Sequence, residues 1–125
     1  MGDFHAFVEE LFAGFGPVRI KRMFGGAGIY AGNLMFGLID DKTIYLKADE
    51  ALKAELAAEG SVGWAYSRAP GRWEDTSYWR LPEAALDDPD EAAAWARKAL
   101  AAAQAKAAQR RLRRPRQTRS SRQLG

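Results

Sequence analysis

The 125 residues, 47% of them hydrophobic, suffice for one globular domain with its own core, and the absence of cysteine excludes disulfides, thiolate metal sites and thiol nucleophiles. Residues 1–91 carry nine Lys/Arg against all sixteen Asp/Glu, a net charge of −7, whereas residues 92–125 carry the other ten Lys/Arg and no acid, a net charge of +10. The overall charge of +3 therefore averages an acidic body and a basic appendage.

An amphipathic helix is predicted at the start of the chain, because apolar side chains recur there at the spacing of one helical face. The stripe consists of Phe4, Phe7, Val8, Leu11, Phe12 and Phe15. Asp3 is the expected N-cap, and Gly14, Gly16 and Pro17 are expected to end the helix. Such a stripe indicates core packing. The only histidine, His5, lies off the stripe, and we expect it to face solvent.

Four short strands joined by tight turns follow, which predicts an antiparallel meander. The strands are expected at residues 18–24, 29–31, 34–39 and 43–47. The glycine-rich run that precedes the second strand contains Gly25, Gly26 and Gly28. It is unlike a phosphate-binding loop, because no Lys-Ser or Lys-Thr and no helix follow it. We therefore expect these glycines to be structural, at a bend or bulge that begins the meander.

The second half of the chain is predicted to add a short helix, two strands and a long helix. Asp49 is the expected cap of a helix over residues 50–59, and strands at 64–66 and 77–79 flank a Pro-Gly turn. An alanine-rich helix then begins at Asp88-Pro89 and is expected to run to residue 113, with its last turns in solvent.

These elements predict an α+β fold: an N-terminal helix, an antiparallel sheet of about five or six strands, one inserted helix and a long C-terminal helix. The helices are expected on one face of the sheet, which leaves the other face more open. Residues 1–105 form the predicted domain, and residues 106–125 form a basic extension, helical to about residue 113 and disordered after it.

Three stretches of sequence resemble the N-terminal domain of the TfoX/Sxy family. They are Met-Phe-Gly-Gly-Ala-Gly-Ile-Tyr at residues 23–30, Leu-Met-Phe-Gly-Leu at 34–38 and Ser-Tyr-Trp-Arg-Leu-Pro at 77–82. The resemblance extends over roughly residues 4–103 and supports the α+β arrangement. Named members regulate bacterial competence genes, so the resemblance implies a regulatory role. Full-length regulators of the family carry a second domain, where this chain has the basic extension.

Few residues are available for catalysis or metal binding. A nucleophile would need His5 as its base, at a position expected on the outer face of a helix. The acidic pairs Asp40-Asp41 and Asp87-Asp88 fall at turns or helix starts, where aspartate has a structural role. The sequence therefore predicts no catalytic residue, no metal site and no cofactor.

Two tryptophans are candidates for a protein interface, because Trp is enriched at interface hot spots. Trp73 lies in the predicted loop, and Trp79 adjoins Tyr78 on a strand, so the two side chains point to opposite faces. Packing within the sheet is the alternative for both tryptophans.

The basic extension is a candidate for nucleic-acid contact, because dense arginine binds phosphates without reading sequence. Its eight cations are Lys106, Arg110, Arg111, Arg113, Arg114, Arg116, Arg119 and Arg122. Since the body is acidic and should repel phosphate, the contact is expected to be confined to this tail. The alternative is a solubilising tail.

Two functional hypotheses follow. The first is a non-enzymatic regulatory or adaptor domain that binds a protein, for which the transcription machinery is one candidate, with auxiliary nucleic-acid contact through the tail. The second is a sequence-independent nucleic-acid-binding accessory protein, and a small ligand-binding domain or enzyme is a third alternative. No apolar run reaches the roughly 18 residues of a membrane span, so we expect a cytoplasmic protein, as a monomer or homodimer, with no membrane contact.

Overall fold

The computed structural model describes residues 2–23, 26–64 and 77–113 and has the predicted α+β fold. Three helices, five strands and one 3₁₀ helix occur in these segments. In chain order they are α1 (Gly2–Leu11), β1 (Arg19–Met23), β2 (Gly26–Ala31), β3 (Leu34–Asp40), β4 (Thr43–Lys47), α2 (Glu50–Ala58), β5 (Tyr78–Arg80), the 3₁₀ helix Glu83–Asp87 and α3 (Pro89–Arg113).

The strands form one antiparallel sheet in the order β1-β2-β3-β4-β5. The first four strands make the predicted meander, and β5 returns beside β4 with Trp79 opposite Leu46. Of the strand expected at 64–66, Gly63 and Trp64 run beside β5, and residues 65 and 66 lie outside the described residues. The sheet therefore has five strands in the described part of the chain.

All three helices pack against the same face of the sheet. Their buried side chains join those of the strands in a single hydrophobic cluster. It includes Val8, Phe12, Ile29, Phe36, Ile44, Leu46, Leu56, Trp95 and Ala99. The opposite face carries none of the three helices, as predicted. We call that opposite face the open face.

The apolar stripe of α1 supplies core residues, as predicted. Val8, Leu11 and Phe12 are buried, and the other members are half-buried against the core. The helix begins at Gly2, so Asp3 lies in its first turn and is not the N-cap. His5 is half-buried, which corrects the expectation that it faces solvent freely.

The glycines at the start of the meander have a different role from the predicted bend or bulge. Gly26 and Gly28 lie inside β2, opposite Met23 and Lys21, and neither has a positive φ. The bulge falls instead between Ile29 and Tyr30. Position 26 requires a glycine because β3 passes close to it. A Cβ atom there would collide with a backbone oxygen of β3. Gly25 lies outside the described residues.

We expect Gly26→Ala to lower the free energy of unfolding by about 1 to 3 kcal/mol, because the new methyl group would push against the carbonyl oxygen of Ile39. Gly14→Ala is the matched control, since its Cβ atom would meet only Ala93 Cβ, at 3.9 Å. Urea denaturation of both variants measures the difference. Equal midpoints for the two variants would show that β2 and β3 do not approach this closely.

The two later helices begin as the sequence predicts. Asp49 Oδ1 accepts a hydrogen bond from Leu52 N at 2.9 Å at the start of α2. Asp88 Oδ1 likewise accepts from Glu91 N at 3.2 Å at the start of α3. None of the helices in the described segments combines the length and the apolar character needed to cross a membrane.

Helix α3 extends beyond the core. Its 25 residues span about 37 Å at 1.5 Å per residue. The last fully buried side chain is Ala103, and Leu112 near the end is 79% exposed. The predicted projection of the last turns is therefore confirmed, while the predicted disorder of residues 116–125 lies outside the described residues.

Candidate binding surfaces

The open face of the sheet carries cations and aromatic rings. The register identifies its members, because neighbours along a strand point to opposite faces. Tyr45 and Lys47 alternate with buried Ile44 and Leu46, so they point to the open face. The same argument, applied through the strand pairs, gives the remaining members. The polar and aromatic set is Arg19, Lys21, Tyr30, Tyr45, Lys47, Tyr78 and Arg80.

Two cation–aromatic pairs lie on this face. The guanidinium carbon of Arg19 lies 5.3 Å from the centroid of the Tyr30 ring, across β1 and β2. The ammonium group of Lys47 lies 5.0 Å from the centroid of the Tyr78 ring, across β4 and β5. Lys47 also donates to Ser77 Oγ at 3.4 Å. Each pair places a positive charge beside a flat aromatic surface.

The charges of the open face are largely not neutralised. Within the described segments, no ion pair with a carboxylate is formed by Arg19, Lys21, Lys47 or Arg80. Asp40 lies at one end of the face, where its Oδ2 accepts from Trp64 Nε1 at 2.9 Å. Most other described acids lie on or at the ends of the helices, in the other layer. The acidic body of the molecule therefore has one basic face.

The end of α3 adds to this positive region. Burial lowers the pKa of Lys47, and the positive charges of Lys106 and Arg110 lower it further. Burial also raises the pKa of Tyr78, with a further rise from Tyr30, while Arg110 lowers it. Positive charge at the end of α3 therefore adds to that on the side of the open face that carries Lys47 and Tyr78.

The structure describes the first part of the basic extension, which is predicted to contact nucleic acid. Lys106, Arg110 and Arg111 are exposed on α3, and Arg113 is its last residue. Four further arginines lie outside the described residues: Arg114, Arg116, Arg119 and Arg122. The predicted contact of the tail with nucleic acid stays a prediction.

Sequence reasoning missed the cations of the open face. Their signal was the alternation of β4, in which Thr43, Tyr45 and Lys47 occupy every second position between buried residues. The expectation that the whole body repels phosphate rested on its net charge, which does not show how the charges divide between the two faces.

A second candidate surface lies at the β5 edge of the sheet. Residues 62–64 run along this edge, where Arg80 N donates to Val62 O at 3.0 Å. Val62 is 52% exposed and Leu86, which shares a shallow pocket with Arg80, is 37% exposed. These are two of the three large exposed hydrophobic residues in the described segments. We call Val62 and Leu86 the apolar edge.

The structure describes one of the two tryptophans that are candidates for a protein interface. Trp79 is half-buried and packs against the core, on the face opposite Tyr78. Its indole nitrogen is buried and has no hydrogen-bond partner among the described residues. Trp73 lies outside the described residues. Protein contact by either tryptophan stays a prediction.

No group suited to metal binding emerges from the described residues, which contain no cluster of three His, Cys, Asp or Glu side chains that could hold an ion. Asp40 and Asp88, from the two acidic pairs, accept hydrogen bonds from Trp64 Nε1 and Glu91 N. His5 lies on α1, in the helix layer on the other side of the sheet from the open face. The absence of a catalytic centre stays a prediction.

A comparison with known protein families matches most of this chain. The family model described as TfoX N-terminal domain matches residues 10–103, most of the chain. Its end coincides with Ala103, the last buried residue of α3, so the cations from Lys106 onward lie outside the matched region. A search of curated proteins gave no match.

Proposed function

The chain belongs to the TfoX N-terminal domain family, and on that premise we propose that it is a non-enzymatic regulatory or adaptor domain. It acts through a protein contact, with auxiliary nucleic-acid contact through its basic C-terminal segment. The family supports a regulatory role, and the described surfaces suit binding better than catalysis. A component of the transcription machinery is the candidate protein partner.

The observation that carries the protein contact is the apolar edge. Exposed large hydrophobic side chains that lie close to one residue are candidates for contact with a partner. Val62 and Leu86 come from different elements, and both lie beside Arg80. Neither side chain packs into the core of this domain. A protein partner would bury both.

Pull-down from native lysate tests this contact. The double variant Val62→Ser/Leu86→Ser should retain at least about tenfold less of the partner than the unmodified chain, because buried apolar contacts contribute most of the energy of such interfaces. Leu112→Ser is the control, since Leu112 is equally apolar and 79% exposed but lies near the end of α3.

Nuclease treatment separates a protein contact from one bridged by nucleic acid. We expect the partner to remain bound after nuclease treatment and to be lost in the double variant. Loss of all bound protein on nuclease treatment, or equal retention by the double variant and the control, would contradict the protein contact.

A second candidate is a sequence-independent nucleic-acid-binding accessory protein. It is favoured by the exposed cations Lys106 and Arg110, which lie near a third cation, Lys47. Clustered cations without acidic partners attract phosphates, since binding releases the counterions of the nucleic acid. This candidate differs from the first in requiring no protein partner.

A further inference from the structure

We propose that the open face of the sheet binds single-stranded nucleic acid. Bases would stack on Tyr30 and Tyr78, and phosphates would bind Arg19 and Lys47. This inference rests on the nucleic-acid contact of the proposed function and assigns to it a second site, on the folded domain, and a preferred form of nucleic acid.

The chemistry of the two cation–aromatic pairs suits a single strand. Proteins that bind single strands combine a positive groove for the backbone with aromatic rings on which bases stack. Each pair provides both groups, with the cation 5.0 to 5.3 Å from the ring centroid. A duplex keeps its bases stacked on each other, so it offers phosphates to this surface and no free base.

The two pairs lie on the same face of the sheet, on either side of β3, and we call their four side chains the row. Arg19 pairs with Tyr30 and Tyr30 with Met35 in the register of β1, β2 and β3, and Lys47 pairs with Tyr78 on the far side. Adjacent strands are about 4.8 Å apart, so Tyr30 on β2 and Tyr78 on β5 are separated by roughly 14 Å at the backbone. The two side chains approach more closely than their strands do, since Tyr30 contributes to the raised pKa of Tyr78.

The Tyr30 side chain lies low on the surface of the sheet. A Cβ atom on Gly28 would lie 3.0 Å from Tyr30 Cε1 and 3.0 Å from Met35 Sδ. The ring of Tyr30 therefore leans along the sheet over Gly28 and does not stand away from it. A base would stack on this ring beside the Arg19 guanidinium, which lies over it, and Met35 lies next to the ring.

The cations of α3 provide further phosphate contacts for a bound nucleic-acid strand. Lys106 and Arg110 lie close enough to Lys47 to lower its pKa. Neither of them forms an ion pair within the described residues. Phosphates that leave the row near Lys47 would therefore meet the positive charges of α3 next.

An acidic protein segment is the competing occupant, because carboxylates also bind Arg and Lys. It would need the charges of the face, but it has no bases to stack on the tyrosine rings. Removal of the rings alone therefore distinguishes the two occupants.

Fluorescence anisotropy on the full chain provides the test, with a labelled single strand of about 15 nucleotides and the duplex of the same sequence, at about 100 mM salt. Tyr30→Leu/Tyr78→Leu removes both rings and keeps apolar side chains. Arg19→Gln/Lys47→Gln removes two charges from the face. Arg97→Gln removes one charge from an exposed position on α3, where the helix lies over the other face.

We expect both face variants to bind the single strand at least about tenfold more weakly, as loss of base stacking and phosphate contacts predicts. The tyrosine variant should bind the duplex within about twofold of the unmodified chain, and Arg97→Gln should bind both within about twofold. Thermal melting checks that the variants are folded. If the tyrosine variant is not folded, the charge variant, altered at side chains outside the core, still tests the surface.

Unchanged single-strand affinity in a folded face variant would overturn the inference. An equal loss on single strand and duplex in the tyrosine variant would also overturn it, as would binding of a glutamate-rich peptide that depends on Arg19 and Lys47 without any single-strand binding. The nucleic-acid contact of the proposed function fails separately, if truncation after Ala105 leaves duplex affinity unchanged.

Discussion

Replacing Phe36 with Ala is expected to lower the free energy of unfolding by about 3 to 5 kcal/mol, more than the replacement of Gly26 with Ala. Phe36 has no exposed surface, and its ring lies 6.0 Å from that of Phe12 and 5.1 Å from that of Phe15. It therefore joins the sheet to the turn that follows α1, which carries both of these rings. Truncation would leave a cavity beside the two remaining aromatic side chains.

The bulge between β2 and β3 explains why Phe36 occupies this position. Ile29 pairs with Gly37 and Tyr30 with Met35, so Phe36 is the extra residue of β3. The bulge directs its ring into the core beside the side chains of α1. A smaller side chain there would not fill the space that the bulge creates.

Urea denaturation measures the effect. Leu112→Ala is the control, because Leu112 is 79% exposed and its truncation should change the free energy of unfolding by no more than about 0.5 kcal/mol. A loss below about 1 kcal/mol for Phe36→Ala would contradict the placement of this ring in the core.

Much of the fold could be predicted from local signals. The helical spacing of Val8, Leu11 and Phe12 identified the buried face of α1, and Asp49 and Asp88 identified the starts of two helices. These features depend on residues within a few positions of each other. The start of β2 was missed because glycine has low strand propensity, and only the close approach of β3 explains Gly26 there.

The surfaces were harder to predict, because they depend on contacts between distant residues. Val62 and Leu86 are separated in the sequence, and only the folded chain brings each of them beside Arg80. The approach of Lys106 and Arg110 to Lys47 follows from how α3 crosses the sheet. No sequence pattern fixes the angle of that crossing.

Truncation after Ala105 is expected to remove most of the affinity for duplex DNA. The deleted residues 106–125 carry eight Lys/Arg and no acid, and the remaining domain has the cations of one face against a net negative body. The last fully buried side chain of α3 is Ala103, so the truncated protein keeps its core. Protein binding at the apolar edge should therefore be unchanged by the truncation.

The salt dependence of duplex binding should measure the number of phosphates that the protein neutralises. If about five phosphates are neutralised, log K should fall with log salt concentration at a slope near −4 to −5 on duplex DNA. Random and AT-rich duplexes should bind within a few-fold of each other, because phosphate contacts carry no base information.

The most direct test of nucleic-acid contact through the extension is fluorescence anisotropy with duplex DNA at several salt concentrations, on the full chain and on the chain truncated after Ala105. We expect the steep salt dependence for the full chain and little or no binding by the truncated one. Equal affinity of the two proteins, or no binding by the full chain even at about 50 mM salt, would contradict this contact and leave the extension as a solubilising tail.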